Sequence, residues 1–355
     1  MMRCLVGTTK GLCVFRNVAG KLALEQIHFK GLPISMIHFD RNSGTCWVGL
    51  SMKHWGAKIF RSKKDLNEWQ ELTTPIYPAQ CNVKPGVPAS LRLIWSAYFD
   101  AHSGKLWLGT EPGGLFESMP DGQFELNQAL WNNPDRVEHW FGGGRDQAGI
   151  HTILGHPQDR QFLLLGVSCG GVYVSRDGGT SWQMKNKGLR ADYLPEPLGP
   201  YGHDPHALEI CATQPDTIWQ QNHCGVFVTH DGAETWKDVT PADDYGRYGF
   251  PIVIDHQDPL RAWIIPAESD DQRVAKDLRL VICHTNDGGQ TWIKQTRGLP
   301  QENCFDLVFR HAFDRREELM CFGTTTGNLF VSNDDGESWS HQQSFLPPIH
   351  SLLII

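Results

Sequence analysis

An eleven-residue unit that recurs along the chain restricts its fold more than any other feature. Its fullest form runs from Val172 to Trp182 as V-Y-V-S-R-D-G-G-T-S-W. Val226 to Trp236 repeats it as V-F-V-T-H-D-G-A-E-T-W, Ile282 to Trp292 as I-C-H-T-N-D-G-G-Q-T-W, and Leu329 to Trp339 as L-F-V-S-N-D-D-G-E-S-W. Weaker copies follow Ile59, where Ser62 and Trp69 survive, and Leu115, where Ser118 and Gly122 survive; the weakest begins at Val14. Successive anchors stand 45, 56, 57, 54, 56 and 47 residues apart. Repetition at that period means a propeller or a solenoid, because one such unit cannot bury its own apolar face.

The flanks choose between the two. Before the anchors lie short apolar runs such as Cys46-Trp47-Val48-Gly49, Leu106-Trp107-Leu108-Gly109, Ile218-Trp219 and Ala262-Trp263-Ile264. Earlier still lies another run, for example Ile150 to Leu154 or Ala207 to Cys211, and a brief closing run such as Trp236 to Val239 follows the turn. Four strands per repeat make an antiparallel blade, and no helical i, i+3, i+4, i+7 spacing competes with them. The expectation is an all-β chain: a seven-bladed β-propeller of four-stranded antiparallel blades. The chain starts on a second strand, Arg3 to Thr8, and ends on a first strand, Pro348 to Ile355. The C-terminal strand should therefore close the ring by completing the blade that the N-terminus begins, which pairs edges otherwise left open. Residues 1–355 read as one propeller domain, although 355 residues exceed the roughly 100–200 usual for one domain.

Composition excludes some classes of partner. The net charge is −8 and no long basic run occurs, so neither nucleic acid nor an anionic membrane is expected as the main partner. The N-terminus lacks the apolar core and small-residue cleavage site of a secretory signal, and no apolar stretch approaches the roughly 20 residues of a membrane helix. The ten cysteines, among them Cys46, Cys211, Cys283 and Cys321, lie mostly in strand-like runs without paired spacing. They read as reduced, buried thiols of a cytoplasmic protein.

The pattern S-x-D-x-G-x-T-W resembles the Asp box, or bacterial neuraminidase repeat. That repeat is found in sialidases, xyloglucan-cleaving glucanases, sortilin-type receptors and a photosystem-assembly factor. The resemblance spans nearly the whole chain and implies a shared scaffold rather than a shared chemistry. Asp177, Asp231, Asp287 and Asp334 sit in turns between strands, where a short acceptor side chain bonds the backbone of its own turn. Gly179, Gly289 and Gly336 supply backbone freedom there, and the tryptophan packs between blades. In the resembled families these turns lie on the face opposite the active site. Sialidases also carry a Phe/Tyr-Arg-Ile-Pro motif whose arginine binds the substrate carboxylate. Ile59-Phe60-Arg61-Ser62 does not supply it, nor is a Tyr–Glu nucleophile pair identifiable, so true sialidase activity is not expected. Arg92, Arg145 and Arg247 stand near the starts of innermost strands and could form a basic ligand-binding cluster.

The histidines carry the more specific pattern. His151 precedes Cys169-Gly170 by 18 residues, and His206 precedes Cys224-Gly225 by the same interval, so the two hold equivalent places in neighbouring blades. His350, in P-I-H-S-L-L, matches the G-I-H-T-I-L setting of His151. His203, three residues before His206, and His223, beside Gln221 and Asn222, join them; Asp146, Asp204 and Glu268 bring carboxylates. Imidazoles and carboxylates converging on a polar funnel can hold a divalent metal, which with an open position activates water or polarises a carbonyl. Equally, such histidines can simply bond strand ends and line a wet channel. Two functional classes follow. One is a glycosidase-like or metal-dependent hydrolase or lyase acting on a glycan or small polar metabolite in the central funnel. Its catalytic groups would be His151, His206, Asp146 and Glu268, its metal ligands His151, His206 and His223. Ligand contacts would come from Arg92, Arg145, Arg247, His203, Asn222 and His350. The other is a non-catalytic propeller scaffold that binds a ligand or a protein partner on the same face.

Overall fold

A computed structural model describes residues 2–355 as a seven-bladed β-propeller of four-stranded antiparallel sheets. Helix is confined to two short α-helices, Gln128–Trp131 and Pro134–His139, and two single 3-10 turns among the described residues. Among the described residues, no helix is long and apolar enough to cross a membrane. The chain divides into two compact units, one of Met1–Pro33, Lys187–Leu198 and His206–Ile355, the other of Ile34–Asn186 and Gly199–Pro205.

The first unit holds blades 1, 5, 6 and 7. Blade 1 consists of Arg3–Thr8, Gly11–Val18 and Lys21–His28, completed by the C-terminal strand Ile349–Ile354, which pairs antiparallel with Arg3–Thr8. Blade 5 is Pro205–Ile210, Ile218–Asn222, Gly225–Thr229 and Lys237–Asp238. Blade 6 is Gly249–Ile254, Ala262–Pro266, Ile282–Thr285 and Ile293–Gln295, and blade 7 is Phe313–Arg316, Leu319–Gly323, Leu329–Ser332 and Ser340–Gln343. The middle strands are buried on both faces, so sheets can pack on either side. Val6, Phe313, Phe322, Leu329, Ile349 and Ile354 belong to one buried cluster, Trp219, Val226, Ile252 and Ile264 to another.

The second unit holds blades 2, 3 and 4. They are Ile34–Asp40, Thr45–Ser51, Ala57–Ser62 and Trp69–Leu72; Leu93–Asp100, Lys105–Glu111, Leu115–Ser118 and Phe124–Leu126; and Gly149–Gly155, Leu163–Ser168, Gly171–Ser175 and Gln183–Met184. A two-stranded hairpin, Asn82–Lys84 with Val87–Pro88, stands outside the blades.

The repeated aspartates bond their own turns. Asp177 Oδ1 accepts the Ser181 backbone N–H at 2.8 Å and the Ser175 hydroxyl at 2.8 Å, and Oδ2 accepts the Ser181 hydroxyl at 2.6 Å. Asp231 and Asp287 repeat the arrangement with Thr235 and Thr291, and Asp334 with Ser338. Gly179 turns the chain at φ +91°, where an L side chain is strained; in the blade 5 copy Ala233 takes that place at φ 74°. Two of the closing tryptophans reach the preceding blade, Trp182 Nε1 donating to Asn127 Oδ1 at 3.1 Å and Trp292 Nε1 to the Val239 carbonyl at 2.8 Å, whereas Trp339 Nε1 donates to the Gly336 carbonyl of its own turn at 3.1 Å. All ten cysteines are buried and none is in a disulfide.

Candidate functional site

One local irregularity decides which side chains the strand starts present. Near the start of the first strand, one extra residue bulges out of the pairing in several blades. The register slips between Ile34 and Met36, Ile94 and Ser96, Ile150 and Thr152, and Gly249 and Ile252. In blade 1 the slip brackets His350, since Ser351 faces Gly7 while Ile349 faces Thr8. Bulges re-aim side chains. His151 and His350 are therefore both bulge residues, which is the structural content of their matching sequence contexts. The crowding explains a recurrent glycine in the second strand: a Cβ on Gly109 would meet Ser96 Oγ at 2.3 Å and the Ile150 carbonyl at 2.5 Å.

In the first unit, the start of blade 5 carries His206 and its second-to-third-strand turn carries His223. Their ring centroids lie 5.4 Å apart, with ring nitrogens within 4.8 Å. His206 Nδ1 bonds the Gly249 carbonyl at 2.6 Å. A carbonyl only accepts, so Nδ1 carries the proton and, in the neutral ring, Nε2 is the basic atom. Below, the ring stacks on Phe250 at 4.6 Å, and Arg310 donates from Nε to the His206 carbonyl at 2.8 Å. Tyr248 lies edge-on to both imidazoles, at 5.5 and 5.1 Å, and Tyr193 edge-on to His223 at 4.8 Å. His350 joins at a distance through Phe309, which meets it at 5.4 Å and Phe250 at 5.8 Å.

The other expected residues of this unit have identifiable engagements. Asn222 is fully buried and shapes the turn before His223, its Oδ1 accepting the Cys224 N–H at 3.1 Å. Arg247 pairs with Asp244 and, at 3.4 Å, with Asp192. Glu268 serves its own hairpin, bonding Lys276 Nζ at 3.1 Å and the Asp277 N–H at 2.9 Å. Tyr193, Tyr248 and Phe250 were not singled out from sequence, because aromatic residues are abundant in every repeat and nothing local distinguishes these.

In the second unit, His151 is fully buried, edge-on to Trp95 at 5.7 Å, with Nδ1 bonded to Thr152 Oγ1 at 2.9 Å. His203 donates from Nε2 to the Gly199 carbonyl at 2.7 Å, and Asp204 Oδ1 accepts the Cys169 N–H at 3.0 Å. Arg92 pairs with Asp146 at 2.6 Å. Arg145 pairs at 2.6 Å with Glu111, a buried carboxylate that sequence reading passed over. Glu111 ends a second strand, as Asn222 does in blade 5, so a search of second-strand ends as well as first-strand starts would have found it.

No family model matches the chain. A 216-residue stretch is 23% identical to the oligoxyloglucan-reducing end-specific xyloglucanase of Emericella nidulans, covering 53% of this chain and 25% of that protein. The chain thus spans about a quarter of the length of that relative. Among solved structures, a periplasmic gluconolactonase of Pseudomonas aeruginosa superposes with a TM-score of 0.64 at 15% identity, over 100% of this chain and 99% of that one. An ancestral GH74 enzyme gives 0.58 at 13% identity, over 91% and 38% of the two chains. YCF48 bound to a D1 peptide gives 0.55 at 13%, over 99% and 95%. At these identities the structural likeness speaks for the fold.

Proposed function

We propose that the chain, acting as one domain, is a hydrolase-like propeller whose working site is the His206–His223 cluster, and that its substrate is a glycan or a small polar sugar derivative. The observation that carries this is the imidazole pair itself, brought together from a strand start and a turn of blade 5, with the proton of His206 held on Nδ1 by the Gly249 carbonyl. That arrangement leaves Nε2 of the neutral His206 ring the basic atom, suited to abstracting a proton from water or to holding a divalent metal. A bound divalent ion would supply Lewis acidity toward a carbonyl or a bound water. The rings of Tyr193 and Tyr248 suit the apolar faces of a sugar, and Arg247 suits an acidic substituent. Likeness to a xyloglucanase and to a gluconolactonase supports carbohydrate chemistry.

The test combines elemental analysis of untagged protein with hydrolysis assays on xyloglucan oligosaccharides and aldonolactones. His206→Ala and His223→Ala should each abolish turnover and any bound metal; His223→Ala should leave the melting curve nearly unchanged, whereas His206→Ala, which removes a buried and hydrogen-bonded ring, should also lower the melting temperature. Turnover at the wild-type rate in both variants would refute the site. A second reading, a non-catalytic scaffold binding a peptide, draws support from the peptide-bound YCF48 neighbour. It predicts no turnover on any substrate, with peptide binding lost in the same variants.

A further inference from the structure

The second unit contains a charged cluster that owes nothing to the histidine site. Arg92 stands immediately before the first strand of blade 3, and Glu111 ends the second strand of that blade. Arg145 and Asp146 lie in the loop that leads into blade 4. Arg92 N–H bonds the Glu111 carbonyl at 2.9 Å, which ties the two strand ends together. The Glu111 side chain is 5% exposed and Arg145 Nη1 bonds it at 2.6 Å, while the Arg145 guanidinium lies 4.7 Å over the face of Trp95. Trp95 is itself the bulge residue of its strand and is buried, so its ring is a fixed platform. Each guanidinium has five N–H donors in a planar fork. Arg145 commits one of them to Glu111 and Arg92 one to Asp146, on side chains that remain 44% and 50% exposed.

We propose that Arg92 and Arg145 form a binding site for a small oxyanion, a carboxylate or a tetrahedral phosphate- or sulfate-like group on a ligand, with Glu111 as the resident counter-charge that the ligand displaces. A planar, partly uncommitted guanidinium held against an aromatic face is suited to a two-pronged bond with such a group. A ligand oxygen would take the Arg145 N–H now given to Glu111. The charged groups acting on Glu111 are Arg145, Arg92 and Asp146, and burial already raises its carboxyl above the usual value despite the two arginines. Losing the Arg145 bond raises it further, so Glu111 takes up one proton from solvent as the oxyanion binds. Binding therefore tightens as pH falls.

The experiment is calorimetric titration of the full chain with sulfate and, separately, with formate, at about pH 5.5 and about pH 7.5, where neither probe changes charge appreciably. The two probes distinguish a tetrahedral from a planar oxyanion. Wild-type protein should bind at least one of them, with affinity rising roughly tenfold toward the lower pH, which corresponds to about 1.4 kcal/mol. Glu111→Gln should bind roughly tenfold more tightly than wild type at the higher pH and lose the pH dependence. Arg92→Gln, a change on a half-exposed side chain, should weaken binding roughly tenfold, and Arg145→Gln should weaken it at least as much. If Arg145→Gln fails to fold, Arg92→Gln and Glu111→Gln still decide the matter. No binding of either probe by wild type and Glu111→Gln up to roughly 50 mM, far above any useful affinity, would overturn the proposal. Unaltered binding in Arg92→Gln, or a pH dependence retained in Glu111→Gln, would do the same.

Discussion

Glu209 sits half-buried in the first strand of blade 5, and the protein around it pushes its carboxyl up to about 8, with Asp314 adding to the effect. Between the ordinary carboxyl value and about 8 the folded state binds a proton that the unfolded chain has released. Stability contributed by this group is thus complete below about pH 4.5 and lost as pH rises through about 8. A tenfold difference in proton affinity between folded and unfolded chains is worth about 1.4 kcal/mol, and partial exposure reduces it, so the loss should be on the order of 2–4 kcal/mol. Glu209→Gln should flatten the fall in melting temperature across that window and leave the variant the more stable protein above about pH 8. An identical fall in both proteins would show that Glu209 is already ionised. At this scale the sequence was informative about position and silent about partners. The matching contexts of His151 and His350 marked them as equivalent positions, where the strand pairing bulges in both blades, but no local signal announced that Glu111 would meet Arg145, 34 residues away.

The blade turns show what a short motif can encode. Hydrogen bonds from the Thr291 hydroxyl and N–H, with one from Thr285, hold the Asp287 carboxyl down to about 2. The stability that Asp287 supplies is therefore present above about pH 4 and is lost as pH falls through about 2. Asp287→Ala should lower the melting temperature at neutral pH and reduce its decline on acidification. Trp182 joins the buried cluster of Trp107, Leu165 and Tyr173 and donates to Asn127, the residue that caps the helix Gln128–Trp131. Truncation to Ala removes a buried indole and leaves a cavity, at a cost of about 3–5 kcal/mol in chemical unfolding. A loss below about 1 kcal/mol would mean that the tryptophan does not anchor its turn to the preceding blade. These elements were legible because every contact of the aspartate lies within four residues of it.

For the whole molecule, neither compact unit is one continuous stretch of chain, and the first depends on both ends of the sequence. The closing strand places Ile349, Leu352 and Ile354 in a cluster with Val6, Phe313 and Phe322. Each such side chain contributes about 1.5–3 kcal/mol by burial, and the strand also pairs the backbone of Arg3–Thr8. Their sum is comparable with the roughly 5–15 kcal/mol that separates folded from unfolded states. Deleting Pro348–Ile355 should therefore yield aggregated or poorly expressed protein, as judged by size-exclusion chromatography. A soluble monomer with the parental melting temperature would contradict closure by this strand.

The division between what was readable and what was not follows the range of the forces concerned. The sequence by itself determined the seven repeats, their four strands, the turn chemistry of Asp177, Asp231, Asp287 and Asp334, and the pairing of the two chain ends. Each of these rests on a periodic apolar pattern or on bonds between residues a few positions apart. Tertiary structure alone decided that Gly109 must lack a side chain, that Glu111 lies under Arg145 beside Trp95, and that His206 turns its Nδ1 to Gly249 with Tyr248 and Phe250 against its ring. The contacts of Arg145 with Glu111 and Trp95, and of His206 with Tyr248, Gly249 and Phe250, join residues 34 to 50 positions apart. Bulges and loop paths set them, and the repeat, which constrains only the spacing of strands, leaves both unspecified.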